Sequence, residues 1–240
     1  MRPKIKTEIG QAYAEYAVLL ALIALVVLLA LAALGVSVDN AFAAIAGMFR
    51  GSPTPTSDNS YKTEFDGDLK DWFIAKFGVW RGKAEIEHGK LKLDPVTLSM
   101  LKGHMLKDFD VQVSGVGIEH EKKVWNGYGL MFRADSSGRN GYMFEIEKKN
   151  AGQPSQMYFS KWVDGKQTKL PGAAVNLPDN FDLKNASSMQ ISARGDTLTA
   201  YVGGKQVLQT RDSTYSQGQV GIASNAGTEI TVDSFSLTPK

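Results

Sequence analysis

Cysteine is absent from this chain of 240 residues. That excludes a disulfide framework and any thiolate zinc site. It does not identify a compartment, because an exported domain can stand on its hydrophobic core alone. Histidine is scarce: His88, His104 and His120 are scattered, with no metal-ligand spacing among them. Charge of one sign is lacking too, since 27 Lys and Arg stand against 25 Asp and Glu, a net charge of +2. No basic excess is therefore available to neutralise a nucleic-acid backbone. No repeat with a period of 20–50 residues is visible, which argues against a propeller or a solenoid.

What the sequence does have is one long apolar run. Within Gly10–Phe49, no residue from Ala17 to Val38 is charged, and Leu, Ile, Val and Ala fill the stretch with no polar face. A helix apolar all round is buried in lipid or in protein. At 1.5 Å per residue the stretch reaches about 33 Å, enough to cross a bilayer core of about 30 Å. Burying its Leu, Ile and Val side chains is worth on the order of 20–40 kcal/mol, so the segment cannot be left in water. Gly35, Ser37, Asp39 and Asn40 interrupt the run and can kink it, but one nearly continuous helix is expected. Small residues (Ala43, Ala44, Ala46, Gly47) would let neighbouring helices approach closely.

Glu15 and Tyr16 stand at the upstream edge of this run, behind a basic leader containing Arg2, Lys4 and Lys6. A carboxylate entering hydrocarbon is costly unless paired. Cutting after Gly10 would make Gln11 the amino terminus, and its ammonium could pair with Glu15 of the same or a neighbouring subunit. The run Gly10-Gln-Ala-Tyr-Ala-Glu15-Tyr16 followed by an apolar helix resembles the Flp-type (tight-adherence) pilins of the type IV pilin superfamily. The resemblance implies prepilin-peptidase processing between Gly10 and Gln11, assembly through Glu15 and Tyr16, and helices packed into an extracellular filament. It covers about residues 1–50, whereas typical members stop soon after the helix. Two rivals remain open. One is an uncleaved single-span anchor under the positive-inside rule. The other is a secretory signal cut near Ala41-Phe42-Ala43 or among Ala30–Ala33.

Arg50–Ser60 contains two prolines, four serine or threonine residues before Asn59 and no apolar residue, and reads as a solvated linker. From Tyr61 onward apolar residues recur with period two. The alternation predicts strands over 61–66, 79–87, 90–94, 97–101, 109–119, 126–134, 141–148, 155–163, 167–171, 187–194, 197–202, 205–211, 218–224 and 229–237. Turn signals such as Glu87-His88-Gly89, Asp164-Gly165, Gly195-Asp196 and Gly203-Gly204 separate them. Many short strands with regular turns indicate a β-sandwich.

The phrases YGLMFRADSSGRNGYMFEIE (128–147), YFSKWVDG (158–165), MQISARGDTLTAYVGGKQV (189–207) and YSQGQVGIASNAGTEITVDSFSL (215–237) resemble, in that order, concanavalin A-like jelly rolls of the laminin-G-like and sugar-binding kind. That resemblance implies two curved antiparallel sheets and a ligand on the concave face or at the loop edge. Alternation places Tyr128, Leu130, Phe132, Tyr142, Phe144 and Ile146 inward, and Met131, Arg133, Met143, Glu145 and Glu147 outward. Arg133, Glu145, Lys161 and Trp162 are the candidate ligand-binding residues, because a sugar site needs an aromatic plate and a few polar groups for hydroxyls. The same charges could instead form a cross-strand ladder, and Trp72, Trp80, Tyr142 and Trp162 could be core. Glu145 and Glu147 stand about 7 Å apart by strand rise, a spacing that raises glycoside hydrolysis. Lys148 and Lys149 follow where the laminarinase-type motif has a further acid, so no catalytic residue is assigned. Asp66, Asp68 and Asp71 near the first strand and Asp233 near the last are candidate calcium ligands, or turn and cap residues. Asn185-Ala186-Ser187 is a glycosylation sequon, a pattern common by chance.

The expected class is therefore α+β: a leader at 1–10, a long N-terminal hydrophobic α-helix at 11–49, a linker at 50–60, and an all-β antiparallel jelly-roll sandwich at 61–240. The expected function is a pilin-like subunit that self-associates into an extracellular filament, without chemical turnover. Its partners would be copies of itself, prepilin peptidase, the assembly machinery, the membrane before assembly and a surface carbohydrate, and no nucleic acid. No cofactor is implied beyond calcium. The competing class is a membrane-anchored carbohydrate-binding module that never polymerises.

Overall fold

The computed structural model describes residues 60–121, 125–149 and 154–240. The leader, the apolar run and the linker before Ser60, with Gly10, Gln11, Glu15 and Tyr16, lie outside the described residues. The chain divides between Pro55 and Thr56, and all described residues fall in the second unit. Among them no helix is long and apolar enough to cross a membrane, and the helical element present is one 3-10 turn, Leu183–Asn185.

The strands, in chain order, are β1 (Tyr61–Thr63), β2 (Trp72–Ile74), β3 (Ala84–Glu87), β4 (Lys90–Leu93), β5 (Thr97–Leu101), β6 (Phe109–Ser114), β7 (Gly117–Glu121), β8 (Asn126–Ala134), β9 (Gly141–Lys148), β10 (Gln156–Val163), β11 (Lys166–Asn176), β12 (Ser188–Arg194), β13 (Thr197–Val202), β14 (Lys205–Arg211), β15 (Gln219–Ser224), β16 (Thr228–Val232) and β17 (Ser234–Pro239). They form a six-stranded sheet ordered β1-β17-β6-β12-β13-β14, a seven-stranded sheet ordered β11-β10-β9-β8-β15-β5-β2, and a four-stranded sheet ordered β3-β4-β16-β7. The pairings are antiparallel throughout, and β5, β8 and β15 join segments far apart in sequence. This is an all-β antiparallel sandwich.

One apolar cluster runs between the large sheets. Leu130, Phe132, Phe144, Ile146, Phe159 and Ile222 of the seven-stranded sheet meet Phe109, Val111, Ile191, Leu198, Phe235 and Leu237 of the six-stranded one, with Leu91, Leu93, Ile230 and Val232 of the small sheet joining them. Period-two patterning assigns each of these residues to the same inward face. The hairpin turns follow the expected chemistry. Asp164 and Gly165 both adopt positive φ, 51° and 77°, and connect β10 to β11 through the two-residue left-handed turn that matches strand twist.

The sequence-based strand boundaries shift at identifiable places. The stretch expected at 109–119 breaks at Gly115, whose φ of 64° ends β6 and starts β7. The stretch expected at 229–237 breaks at Asp233. The segment 79–83 is not strand, and β3 begins at Ala84. β2 carries no sequence signal, because three residues are too few to show alternation. The expected strand 167–171 extends to Asn176 across a register shift between Tyr158 and Ser160 of its partner β10.

Candidate functional site

Seen strand by strand, the face of the seven-stranded sheet that points away from the main core carries the chemistry. In the β9–β10 register Glu147 opposes Gln156, Glu145 opposes Tyr158, Met143 opposes Ser160 and Gly141 opposes Trp162. In the β10–β11 register Trp162 opposes Gln167 and Ser160 opposes Lys169. Side chains directly opposite one another share a face, so Glu145, Glu147, Tyr158, Ser160, Gln167 and Lys169 converge. On the other side of β9, Gly129 opposes Glu145. A Cβ at Gly129 would stand 2.9 Å from Glu145 Cγ and 2.6 Å from Phe144 O, so only glycine lets the acid lie flat on the sheet.

The two carboxylates are almost wholly buried, Glu145 at 4% and Glu147 at 7% exposure. Burial, and then the neighbouring Glu145 and Glu147 charges, push the Tyr158 hydroxyl pKa up. The Gln167 side-chain amide donates to Glu145 Oε2 and, at 3.0 Å, to Ser160 Oγ; Ser160 Oγ in turn donates to Glu145 Oε2 at 3.4 Å. Lys149 Nζ lies 3.7 Å and Lys169 Nζ 4.0 Å from Glu147 Oε2. Lys169 Nζ also sits 3.7 Å above the Tyr158 ring and donates to Gln156 Oε1. Burial pushes the Glu145 carboxyl up to about 7, and the neighbouring Glu147 charge adds to the rise. Hydrogen bonds from Tyr158, Gln167 and Ser160 oppose that shift. Burial likewise lowers the Lys169 pKa, against the pull of Glu147.

Beside this cluster stands Trp125, 56% exposed, with Lys149 Nζ 5.8 Å from its ring centroid. An open indole plate next to carboxylates, a phenol, an amide and amines is the combination that stacks on the C–H face of a sugar ring and binds its hydroxyls.

The residues singled out from the sequence are dispersed. Glu145 lies at the centre of the site. Trp162 shares its sheet face but is buried against Trp80, ring centroids 5.5 Å apart. Arg133 was expected to face outward with Met131, and it does not. Its φ of 47° and the register shift between Gln219 and Gly221 of β15 form a bulge that turns it toward the far end of the sandwich. There it donates to Lys107 O at 3.0 Å and 2.7 Å and to Tyr215 O at 3.2 Å. Lys161 opposes inward-facing Tyr142 and donates to Asp212 and Thr214. It belongs to a strut that pins the chain after β14, in which the Tyr142 hydroxyl donates to Asp212 Oδ1 at 2.5 Å. Burial alone would raise the Asp212 pKa, but hydrogen bonds from Thr214 and Tyr142 and the Lys161 charge bring it down to about 2. Arg133, Glu145 and Lys161 therefore form neither one ligand surface nor one charge ladder. Trp72, Trp80 and Tyr142 are buried, as core residues.

Asp66, Asp68 and Asp71 are exposed. Asp68 caps a turn by accepting from Lys70 N at 3.2 Å, and Asp233 pairs with Lys90 at 2.7 Å. Among the described residues no group of three carboxylate, histidine or cysteine side chains could hold a metal ion, so the calcium site expected at Asp66, Asp68 and Asp233 is not formed by them.

Trp125, Tyr158, Gln167 and Lys169 were not found from sequence. Tyr158 and Ser160 were within reach, because period two places them with Trp162 on one face, but Gln167 and Lys169 depend on the β10–β11 register. Trp125 follows a Lys-Lys-Val stretch with no pattern to orient it.

The same sheet face carries a second apolar cluster, distinct from the main core. Leu98, Met100, Met131, Ala134, Met143, Trp162 and Ala223 lie on the sheet, with Ala75, Phe77 and Trp80 packed on them.

No protein-family model matches the chain. A levanase of Bacillus subtilis (strain 168) is 28% identical over 163 residues, which is 67% of this chain and 22% of the levanase; the chain thus spans less than a quarter of that relative. Among solved structures, the carbohydrate-binding module CBM66 from Bacillus subtilis aligns with a TM-score of 0.55 at 19% identity, covering 69% of this chain and 96% of the module. A Bacillus licheniformis beta-glucanase aligns with a TM-score of 0.51 at 12% identity, covering 77% of this chain and 100% of the glucanase. At these identities the likeness is one of fold, and the described residues form a jelly-roll β-sandwich of the kind that these saccharide-directed proteins share.

Proposed function

We propose that the sandwich is a carbohydrate-binding module, with its site on the outward face of the seven-stranded sheet at Trp125, Glu145, Glu147, Tyr158, Gln167 and Lys169. The observation that carries this reading is the exposed Trp125 indole beside a buried carboxylate pair already wired to hydroxyl, amide and ammonium groups. A sugar ring lying on the indole would present its hydroxyls to Lys149, Gln167 and Lys169, whose positions the buried carboxylates set in advance, which lowers the ordering cost of binding. The levanase and CBM66 likenesses support the same class and make levan the first saccharide to try. Binding without turnover fits the geometry: the two carboxylates are buried side by side on one strand, next to Tyr158 and Gln167, rather than set across an open cleft from each other.

The test is titration of the full-length chain in detergent with levan. Saturable binding that Trp125→Ala and Glu147→Gln each weaken is the expected result. Undiminished binding in both variants would move the site elsewhere, and no binding to levan or to a panel of neutral glycans would end this reading.

The apolar run at 17–38 gives the module its proposed setting, a single-span anchor that holds the sandwich outside the cytoplasmic membrane. A filament subunit is the second reading, favoured by Gly10, Glu15 and Tyr16 at their pilin-like spacing. Mass spectrometry of the native amino terminus separates the two. A chain beginning at Gln11 favours the filament, and one beginning at Met1 favours the anchor.

A further inference from the structure

Two tryptophans at the site's own sheet face, Trp162 of β10 and Trp80 of the segment packed against it, are poorly provided for. Trp80 and Trp162 pack ring to ring with centroids 5.5 Å apart, both nearly inaccessible. The indole N–H of each is buried without a hydrogen-bond partner. A buried donor left without an acceptor costs free energy, and native structures keep few of them. Here there are two, side by side, at the face that carries the carboxylates.

What covers Trp162 is a short non-strand segment that itself carries Trp80. Ala75 N donates to Leu98 O, and at the other end Arg81 N and Gly82 N both donate to Val96 O. Between those ends the segment closes on itself: Trp80 N donates to Phe77 O at 2.9 Å, and Lys76 Nζ donates to Gly82 O at 2.5 Å. Gly82 is fastened closely, since a Cβ there would stand 2.5 Å from Pro95 O. Val79, at the tip, is exposed. Beneath lie Met100, Met131 and Met143, unbranched side chains that can repack around a changed neighbour.

The covered area is continuous with the acid pair. Met143 and Glu145 are successive outward residues of β9, and Ser160 and Trp162 are successive outward residues of β10. Gln167, directly opposite Trp162, is the residue that reaches back to Glu145.

We propose that Ala75–Gly82 is a displaceable cover over a second saccharide subsite, with Trp162 of the sheet as its floor and Trp80, carried on the underside of the cover, as its roof, which takes a further sugar unit of a chain already seated at Trp125. The inference rests on the carbohydrate-binding reading of that face. When the cover lifts, the indole N–H groups gain sugar oxygens as acceptors, and the rings offer plates for C–H faces. Because the cover must first be displaced, short saccharides use the Trp125 end alone, and only longer ones repay opening.

The experiment titrates the full-length chain with levan oligosaccharides of two and of five units. The five-unit saccharide should bind about tenfold more tightly or better. Trp80→Phe keeps a ring but removes the N–H, and should cut that gain at least about threefold. Lys76→Gln loosens the cover's closure without touching the sugar, and should enlarge the gain. Should Trp80→Phe fail to fold, Lys76→Gln alone decides. Equal affinity for both saccharides, a gain that survives in Trp80→Phe, or a gain unmoved by Lys76→Gln where that variant decides, overturns the subsite while leaving the Trp125 site standing. If neither saccharide binds and no other neutral glycan does, the carbohydrate-binding reading falls and the subsite falls with it.

Discussion

The two outer faces of this sandwich are built on opposite terms. On the six-stranded sheet, β6 and β12 alternate strictly, with every second residue buried. The residues between are Asp110, Gln112, Ser114, Gln190, Ser192 and Arg194, partly exposed, and Gln112 opposes Gln190. On the seven-stranded sheet, β8 is buried along all nine residues and β15 along all six, and β9 is buried in all but its last residue. An antiparallel strand normally leaves one face to water. Here that second face holds methionines, tryptophans and two carboxylates, and it is closed by Ala75–Trp80 and by Gln167 and Lys169. A solvated face needs only alternation to be stable. A covered face with buried acids and partnerless donors departs from that economy, and departures of this kind gather where binding happens.

This contrast can be broken most directly at Met143 and Gln190. Met143→Ala removes a buried side chain of the covered face and should cost about 2–5 kcal/mol in urea unfolding. Gln190→Ala on the opposite outer face should stay within about 0.5 kcal/mol. Equal midpoints for the two variants would erase the distinction.

The buried acid adds a pH signature. The folded state holds the Glu145 proton up to about 7, whereas an ordinary glutamate releases it near 4.5. The folded protein therefore binds more protons than the unfolded chain in that window. The contribution is complete below pH 4.5 and is lost as pH rises to about 7, a fall of about 3 kcal/mol at most. Glu145→Gln should flatten the stability profile between those values. A slope identical to that of the parent protein would show that Glu145 titrates normally.

A smaller effect, on binding rather than stability, belongs to Trp125. Trp125→Ala should weaken levan binding about tenfold, equivalent to about 1.4 kcal/mol. Its unfolding midpoint should not move by more than about 0.5 kcal/mol, because the ring lies in solvent. A large stability loss would mark Trp125 as structural. The smallest change is expected on the polar face. Asp110, which meets Arg194 at 2.8 Å and Lys240 at 3.4 Å, should lose no more than about 1 kcal/mol as Asp110→Asn, and less in high salt.

Much of the strand content was legible. Tyr142, Phe144 and Ile146 announce an inward face by period two, and turns such as Asp164-Gly165 and Gly203-Gly204 carry their own left-handed chemistry. Glu145 and Glu147 were legible as an outward pair for the same reason. Arg133 was misplaced by the same rule, because a bulge costs one residue of phase and leaves no mark in composition. Tyr158, Gln167, Lys169 and Trp125 escaped because a site spread over several strands is defined by register, which alternation within one strand does not carry.

By itself, then, the sequence determined the apolar run at 17–38, the all-β character after Tyr61 and the inward or outward sense of the regular strands. The first is an unbroken run and the others are spacing of two residues, and both are properties of the chain alone. Only the tertiary structure decided which strands are neighbours, which outer face is covered, and that two carboxylates, a phenol, an amide, two amines and an indole meet in one place. Those outcomes depend on pairings between residues far apart in the chain, such as β8 with β15 and β5 with β15. Long-range pairings of that kind are selected by how well the whole set of faces packs, not by the residues of any one strand.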